Sequence, residues 1–155
     1  MKDCLNKKQE ECSKTSQQKS EKPKSSTEEN KKGYKFSQKS LKLLDQCDTK
    51  LKYLFLEVIK EIDCSVIEGH RPKHKQDMFY EKGASKLKWP NSKHNLFPSR
   101  AVDVIPYPID WKNIKRFKQL MKVVKKCAKK LDIKIRCGGD WFTFKDYPHY
   151  ELKGK

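Results

Sequence analysis

At 155 residues the chain suffices for one domain and is short for two. It carries 37 Lys and Arg against 20 Asp and Glu, a net charge of +17, and hydrophobic residues make up 35%. There is no run of apolar residues long enough to span a bilayer, and the basic excess favours polyanionic partners (nucleic acid, wall polymer or anionic lipid) as much as it describes a lysine-solvated surface.

The apolar shortfall sits at the front. From Met1 to about Lys32 the sequence is Lys, Ser, Glu, Gln and Thr, and Leu5 is its one large aliphatic residue beyond Met1. Such a segment cannot bury enough surface to offset its ordering entropy, so residues 1–33 are expected to form a disordered basic, polar tail and residues 34–155 the folded domain. The N-terminus has no apolar stretch behind its lysine, so no secretory signal is expected. The six cysteines contain no C-x-x-C pair and are expected to be free thiols, with Cys64 and Cys127 in the core.

Ser37 or Ser40 is placed to cap a short helix through Leu41, Leu43 and Leu44. Asp48 is placed to cap a longer one, whose Leu51, Leu54, Phe55, Val58, Ile59 and Ile62 make an amphipathic stripe. Cys64–Glu68 reads as a strand ended by Gly69. Pro72 suits the first turn of a helix reaching Gly83. Residues 84–100 read as a loop, and Ala101–Ile105 as a buried strand ended by Pro106. Asp110 is expected to cap the next helix, with Trp111 at its start and a stripe from Ile114 to Leu131. Ile133–Cys137 alternates as a strand, Gly138-Gly139 turns, Trp141–Phe144 reads as a further strand, and His149–Leu152 as the last. This order predicts an α+β domain with helices packed on a small, mainly antiparallel sheet.

The chemistry concentrates in three places: Ser92-Lys93-His94, Arg100-Ala101-Val102-Asp103 and Asp146-Tyr147-Pro148-His149. Two imidazoles and one carboxylate are the ligand set of a catalytic zinc site, which keeps its fourth position open. His94, Asp103 and His149 are therefore the candidate ligands. Asp146 is a candidate general base, or else a turn residue. Arg71 is a candidate oxyanion stabiliser, or else a solvated arginine. Gln76 is placed to help orient substrate, and Trp141 to wall a cleft. Glu151 shares the His149 face, as a support for it or as a partner for a basic side chain. Asp140 either binds an amine or caps its turn. His70 and His74 read as exposed.

Several ordered motifs then coincide: Glu68-Gly69-His70-Arg71, Gly83-Ala84-Ser85-Lys86, Ser92-x-His94 leading to Ala101-Val102-Asp103, Pro106-Tyr107-Pro108-Ile109-Asp110-Trp111, Ile135-Arg136-Cys137-Gly138-Gly139-Asp140-Trp141, and Asp146-x-x-His149-Tyr150-Glu151-Leu152. Over about residues 36–153 the chain resembles the zinc peptidases that include VanY-type D-alanyl-D-alanine carboxypeptidases and phage L-alanyl-D-glutamate endopeptidases. The resemblance implies the hedgehog/DD-peptidase fold, with zinc on His94, Asp103 and His149. It implies Asp146 as base, Arg71 at the oxyanion and Ser92 among the substrate contacts. It also implies a phage-encoded endolysin, an endopeptidase or D,D-carboxypeptidase, that degrades peptidoglycan stem or cross-bridge peptides. A monomer is expected, acting on the wall from the host cytoplasm or the virion, with its basic surface on anionic wall polymers. The chain departs from the family pattern in three ways. The His94-to-Asp103 spacing is two residues longer and lacks its glycine, Cys137 replaces a common tryptophan, and the Trp141–Asp146 segment is short.

Two other readings compete. One is a non-enzymatic binder of nucleic acid or another polyanion with a stabilising metal. It has the charge, but no aromatic stacking platform and no nucleic-acid motif. The other is a virion-structural protein of the same descent.

Overall fold

The computed structural model describes residues 33–154. Apart from Gly33, the polar tail expected from the sequence lies outside the described residues, as do Cys4 and Cys12. The elements in chain order are α1 (Gln38–Leu44), α2 (Thr49–Glu61), β1 (Cys64–Glu68), α3 (Lys73–Glu81), β2 (Ala101–Pro106), α4 (Ile114–Lys130), β3 (Ile135–Cys137) and β4 (His149–Leu152). Short 3-10 turns form at Lys93–Asn95 and Gly138–Asp140. The sheet order is β1-β2-β4-β3, with every neighbour antiparallel. The fold is α+β, as expected.

Local chemistry accounts for the helix starts. Ser37 Oγ accepts from Ser40 N–H at the head of α1, and Asp48 accepts from Lys50 N–H at the head of α2, so each cap occupies an otherwise unpaired donor. Leu51, Leu54, Phe55, Val58 and Ile59 on α2 join Phe117, Leu120, Val124, Cys127 and Ala128 on α4 in being buried, at spacings of three and four. Most of them meet Val66, Val102, Val104, Tyr150 and Leu152 from the sheet in one core. Phe55 packs edge-on against Tyr150, with ring centroids 5.4 Å apart. The four described cysteines are all free and buried.

Two expectations are corrected. Helix α4 begins at Ile114 with Asn113 as its cap, not at Asp110. Asp110 instead accepts from Lys112 N–H, and its carbonyl accepts from Asn113 N–H. The first is a short side chain that captures a local backbone donor, and the second, a backbone bond, closes the turn that leads into the helix. Trp141–Phe144 forms no strand. β4 lies between β2 and β3, so both of its edges are already paired.

Register positions the functional face. Asp103 on β2 lies opposite His149 on β4, Ala101 opposite Glu151, and Glu151 opposite Arg136 on β3. The β1–β2 ladder shifts between Val66 and Glu68, and Glu68 then also faces Asp103. Ile67 is the extra residue of that bulge, which swings the end of β1 onto the polar face. Side chains alternate across a sheet, so Glu68, Asp103, His149, Glu151 and Arg136 share one face while the apolar set fills the other.

Candidate metal centre and cleft

His94 comes from the long connection between α3 and β2, which hydrogen bonds hold in place. Ser92 Oγ accepts from His94 N–H, and Asn95 Oδ1 accepts from Ser92 N–H. Asn95 Nδ2 donates to the carbonyl of Arg71, and Arg71 N–H donates to the carbonyl of His94. Behind the ring, His94 Nδ1 lies 2.8 Å from the Gly69 carbonyl oxygen. A carbonyl only accepts, so Nδ1 carries the hydrogen and Nε2 presents its lone pair. Gly69 itself packs tightly on the end of α1, where a Cβ would lie 2.3 Å from the Leu43 carbonyl oxygen.

His149 is fixed from the other side. Its Nε2 lies 3.2 Å from Glu151 Oε2, so Nε2–H donates to the carboxylate and Nδ1 turns toward Asp103. The preceding segment closes onto Gly138, where a Cβ would sit 2.3 Å from the Asp146 carbonyl oxygen and 3.0 Å from His149 Cβ. The remaining nitrogens and one Asp103 oxygen then converge. His94 Nε2 to His149 Nδ1 is 3.2 Å, His149 Nδ1 to Asp103 Oδ1 is 3.1 Å, and His94 Nε2 to Asp103 Oδ1 is 3.2 Å. A tetrahedral ion with bonds of about 2.0–2.2 Å spans ligand pairs by about 3.3–3.6 Å, so a slight opening of the triangle fits one small cation. His94, Asp103 and His149 can hold a metal.

The electrostatics agree. Burial opposes a charge on His149, but its hydrogen bonds to Asp103 and Glu151 outweigh this and hold its pKa up at about 9. Burial likewise opposes ionisation of Asp103, yet the charge of His94 and the bond to His149 hold it well below the usual carboxylate range. Glu151 is lowered as well, its bond to His149 overcoming burial. The site favours a positive charge between its carboxylates, whether a proton or a metal ion.

The three residues open into a cleft of about 700 Å³ that Arg71, Ser92, Trp141 and Asp146 also line. Burial, and then the charge of Asp103, raise the Asp146 pKa and so make its carboxylate more basic. The Arg71 guanidinium lies 3.5 Å from Asp103 Oδ2 and 3.7 Å from Glu68 Oε2, and 4.7 Å above the Phe79 ring. Trp141 lies 5.2 Å from the His149 ring between centroids.

Gln76 is placed differently from the other sequence candidates. It is fully buried and does not line the cleft. Its Oε1 accepts from Arg71 Nη1 and Asn95 Nδ2, and its Nε2 donates to Ser85 Oγ and the Leu87 carbonyl. With both ends engaged, it holds Arg71 instead of facing a substrate. Trp111 lines the cleft and is not at a helix start, and Asp140 pairs with Lys125 at 2.8 Å. Asn95, Phe79 and, beyond its place in the quoted motif, Glu68 were given no role from sequence. Only Asn95 had a signal, its position three residues after a capping serine.

Two histidines, one on the sheet and one on the α3–β2 connection, meeting an aspartate at the floor of a cleft on an α+β scaffold suit metal-assisted hydrolysis. The comparisons narrow the class. Residues 32–154 match the model of the phage L-alanyl-D-glutamate peptidase family. The chain is 31% identical over 125 residues to the L-alanyl-D-glutamate peptidase of Escherichia phage T5, covering 77% of this chain and 90% of that one. The crystal structure of the Serratia marcescens L-Ala D-Glu endopeptidase ChiX superposes with a TM-score of 0.69 at 25% identity, over 81% of this chain and 94% of that one. The chain belongs to the phage L-alanyl-D-glutamate peptidase family and is a peptidase.

Proposed function

We propose that this peptidase uses zinc, held by His94, Asp103 and His149, to hydrolyse the bond between L-alanine and D-glutamate in peptidoglycan stem peptides. The observation that carries the reading is the triangle of donor atoms with edges of 3.1–3.2 Å at the floor of the cleft. Zinc in such a three-ligand centre supplies Lewis acidity. Asp146 takes a proton from the attacking water on its carboxylate and returns it to the leaving amine nitrogen. Its raised basicity suits the first transfer. The Arg71 guanidinium, steadied by Gln76 and Phe79, donates to the oxygen that becomes negative in the transition state. Ser92 and Trp141 contact the peptide along the cleft walls.

The remaining assignments follow the charge. Residues 1–33 form a basic tail ahead of the catalytic domain, residues 34–155. With a net charge of +17, tail and surface hold the monomer to anionic wall polymers. The enzyme is phage-encoded and reaches the wall from the host cytoplasm or the virion, as an endolysin.

Mass spectrometry of the products from purified wall and from a defined stem peptide tests this. Scission between L-alanine and D-glutamate is expected, abolished by chelator and restored by zinc. Activity on wall, but not on the small peptide, is expected to fall as salt rises. Release of D-alanine alone, or cleavage indifferent to chelator, would refute the reading.

A further inference from the structure

The cleft holds a cation that the chemistry above does not use. Among the lysines and arginines lining it, Arg71 is tied to Gln76, Glu68 and Asp103, and Lys93 Nζ donates to the carbonyls of Leu152 and Gly154. The Arg136 side chain has no hydrogen bond among the described residues. Its contacts are an ion pair with Glu151 at 3.7 Å and the Trp141 ring, 5.5 Å below the guanidinium. Its side chain is 60% exposed. The remaining cation, Lys86, is an exposed point charge on the loop after α3.

Three observations aim Arg136 at a ligand. Register with Glu151 puts it on the sheet face that carries His149 and Asp103. Trp141 supports its flat side and packs on His149, so the guanidinium stands two contacts from the metal ligand with its donors free. The same wall carries a second unpaired donor, the buried Trp141 Nε1. A planar guanidinium on an aromatic platform presents a fork of N–H groups that matches a carboxylate.

The substrate offers one carboxylate at that range. In a stem peptide the D-glutamate α-carboxylate sits on the carbon bonded to the scissile nitrogen. The acyl side brings none, because L-alanine is joined through its own nitrogen to the lactyl group of the sugar. We propose that Arg136 pairs with the D-glutamate α-carboxylate and is the residue that selects D-glutamate over D-isoglutamine on the leaving side. This inference rests on the proposed scissile bond.

The test uses the full chain and two peptides, N-acetyl-L-alanyl-γ-D-glutamyl-L-lysine amide and its α-amide counterpart, in which D-isoglutamine removes the sole carboxylate. Wild type is expected to favour the acid by about ten- to a hundredfold in kcat/KM, the range of a charge-assisted hydrogen bond. Arg136→Ala is expected to lower the acid to the level of the amide, mainly through KM, and Arg136→Lys to restore part of the preference. Equal losses on both peptides would assign Arg136 to support of Trp141 and overturn the inference, as would equal wild-type rates on acid and amide. Wild type that digests wall but cuts neither peptide would overturn the bond assignment itself, and this inference with it.

Discussion

The two faces of the sheet are made by the same strands and obey opposite rules. On one, Val66, Val102, Val104, Tyr150 and Leu152 pack against the stripes of α2 and α4. On the other, Glu68, Asp103, His149 and Glu151 crowd together, all buried or nearly so. The apolar face stabilises the fold in proportion to the area it removes from water. The polar face desolvates charges, a cost that is recovered only when each finds a partner. A one-residue alternation therefore lets a short sheet be scaffold on one side and reagent on the other.

The sharpest way to break this comparison is to remove groups from the polar face. Asp103→Ala and His149→Ala are expected to lose peptidase activity by about a thousandfold or more, because several kcal/mol of charge stabilisation leave with the metal. Both should retain cooperative unfolding, since the core face is untouched. Asp146→Ala is expected to lose activity by about a hundred- to ten-thousandfold while keeping its zinc. Kinetics with zinc content by elemental analysis separates the two classes. Full activity of Asp146→Ala would remove it as the base.

The complementary change is Leu54→Ala on the core face. Leu54 is fully buried, and a truncation there leaves a cavity costing about 2–5 kcal/mol. Urea unfolding should show that loss, with kcat/KM of the folded fraction unchanged. A catalytic defect at full folding would mean that the two faces are not separable.

How much of this was legible depended on whether a signal was local. The α2 stripe, the Asp48 cap, the α1 cap as one of Ser37 and Ser40, and strands β1, β2 and β4 follow from local residue types and spacings. The start of α4 did not, because Asp110 and Asn113 are both capping residue types and only the turn between them decides. The β-prone aromatics of Trp141–Phe144 were misleading because Phe142, Thr143 and Phe144 are exposed, so no burial rewards a strand there. At the site, His94, Asp103 and His149 were visible as residue types. Their convergence on one ion was expected from the ligand set and the family resemblance alone, since its geometry depends on the cross-strand register and on bonds such as Arg100 N–H to the Lys93 carbonyl, which fold the long connection back. Gln76 shows the limit most plainly. On a mostly polar helix it reads as a residue placed to orient substrate, and only the tertiary packing turns it inward beneath Arg71.

The finest probe of the polar face is Glu151→Gln. The substitution keeps the shape and an acceptor oxygen for His149 Nε2 but removes the negative charge that makes the ring a better ligand. The Lys93 and Arg136 contacts to Glu151, 3.5 and 3.7 Å, are long and partly solvated, so their loss adds little. The expected outcome is zinc affinity weaker by about ten- to a hundredfold, with kcat nearly wild type once zinc is saturating. Competition titration against a chelator measures the first and zinc-saturated kinetics the second. Unchanged affinity would show that Glu151 only fills the space behind His149, and that the ring is held by Asp103 and its strand alone.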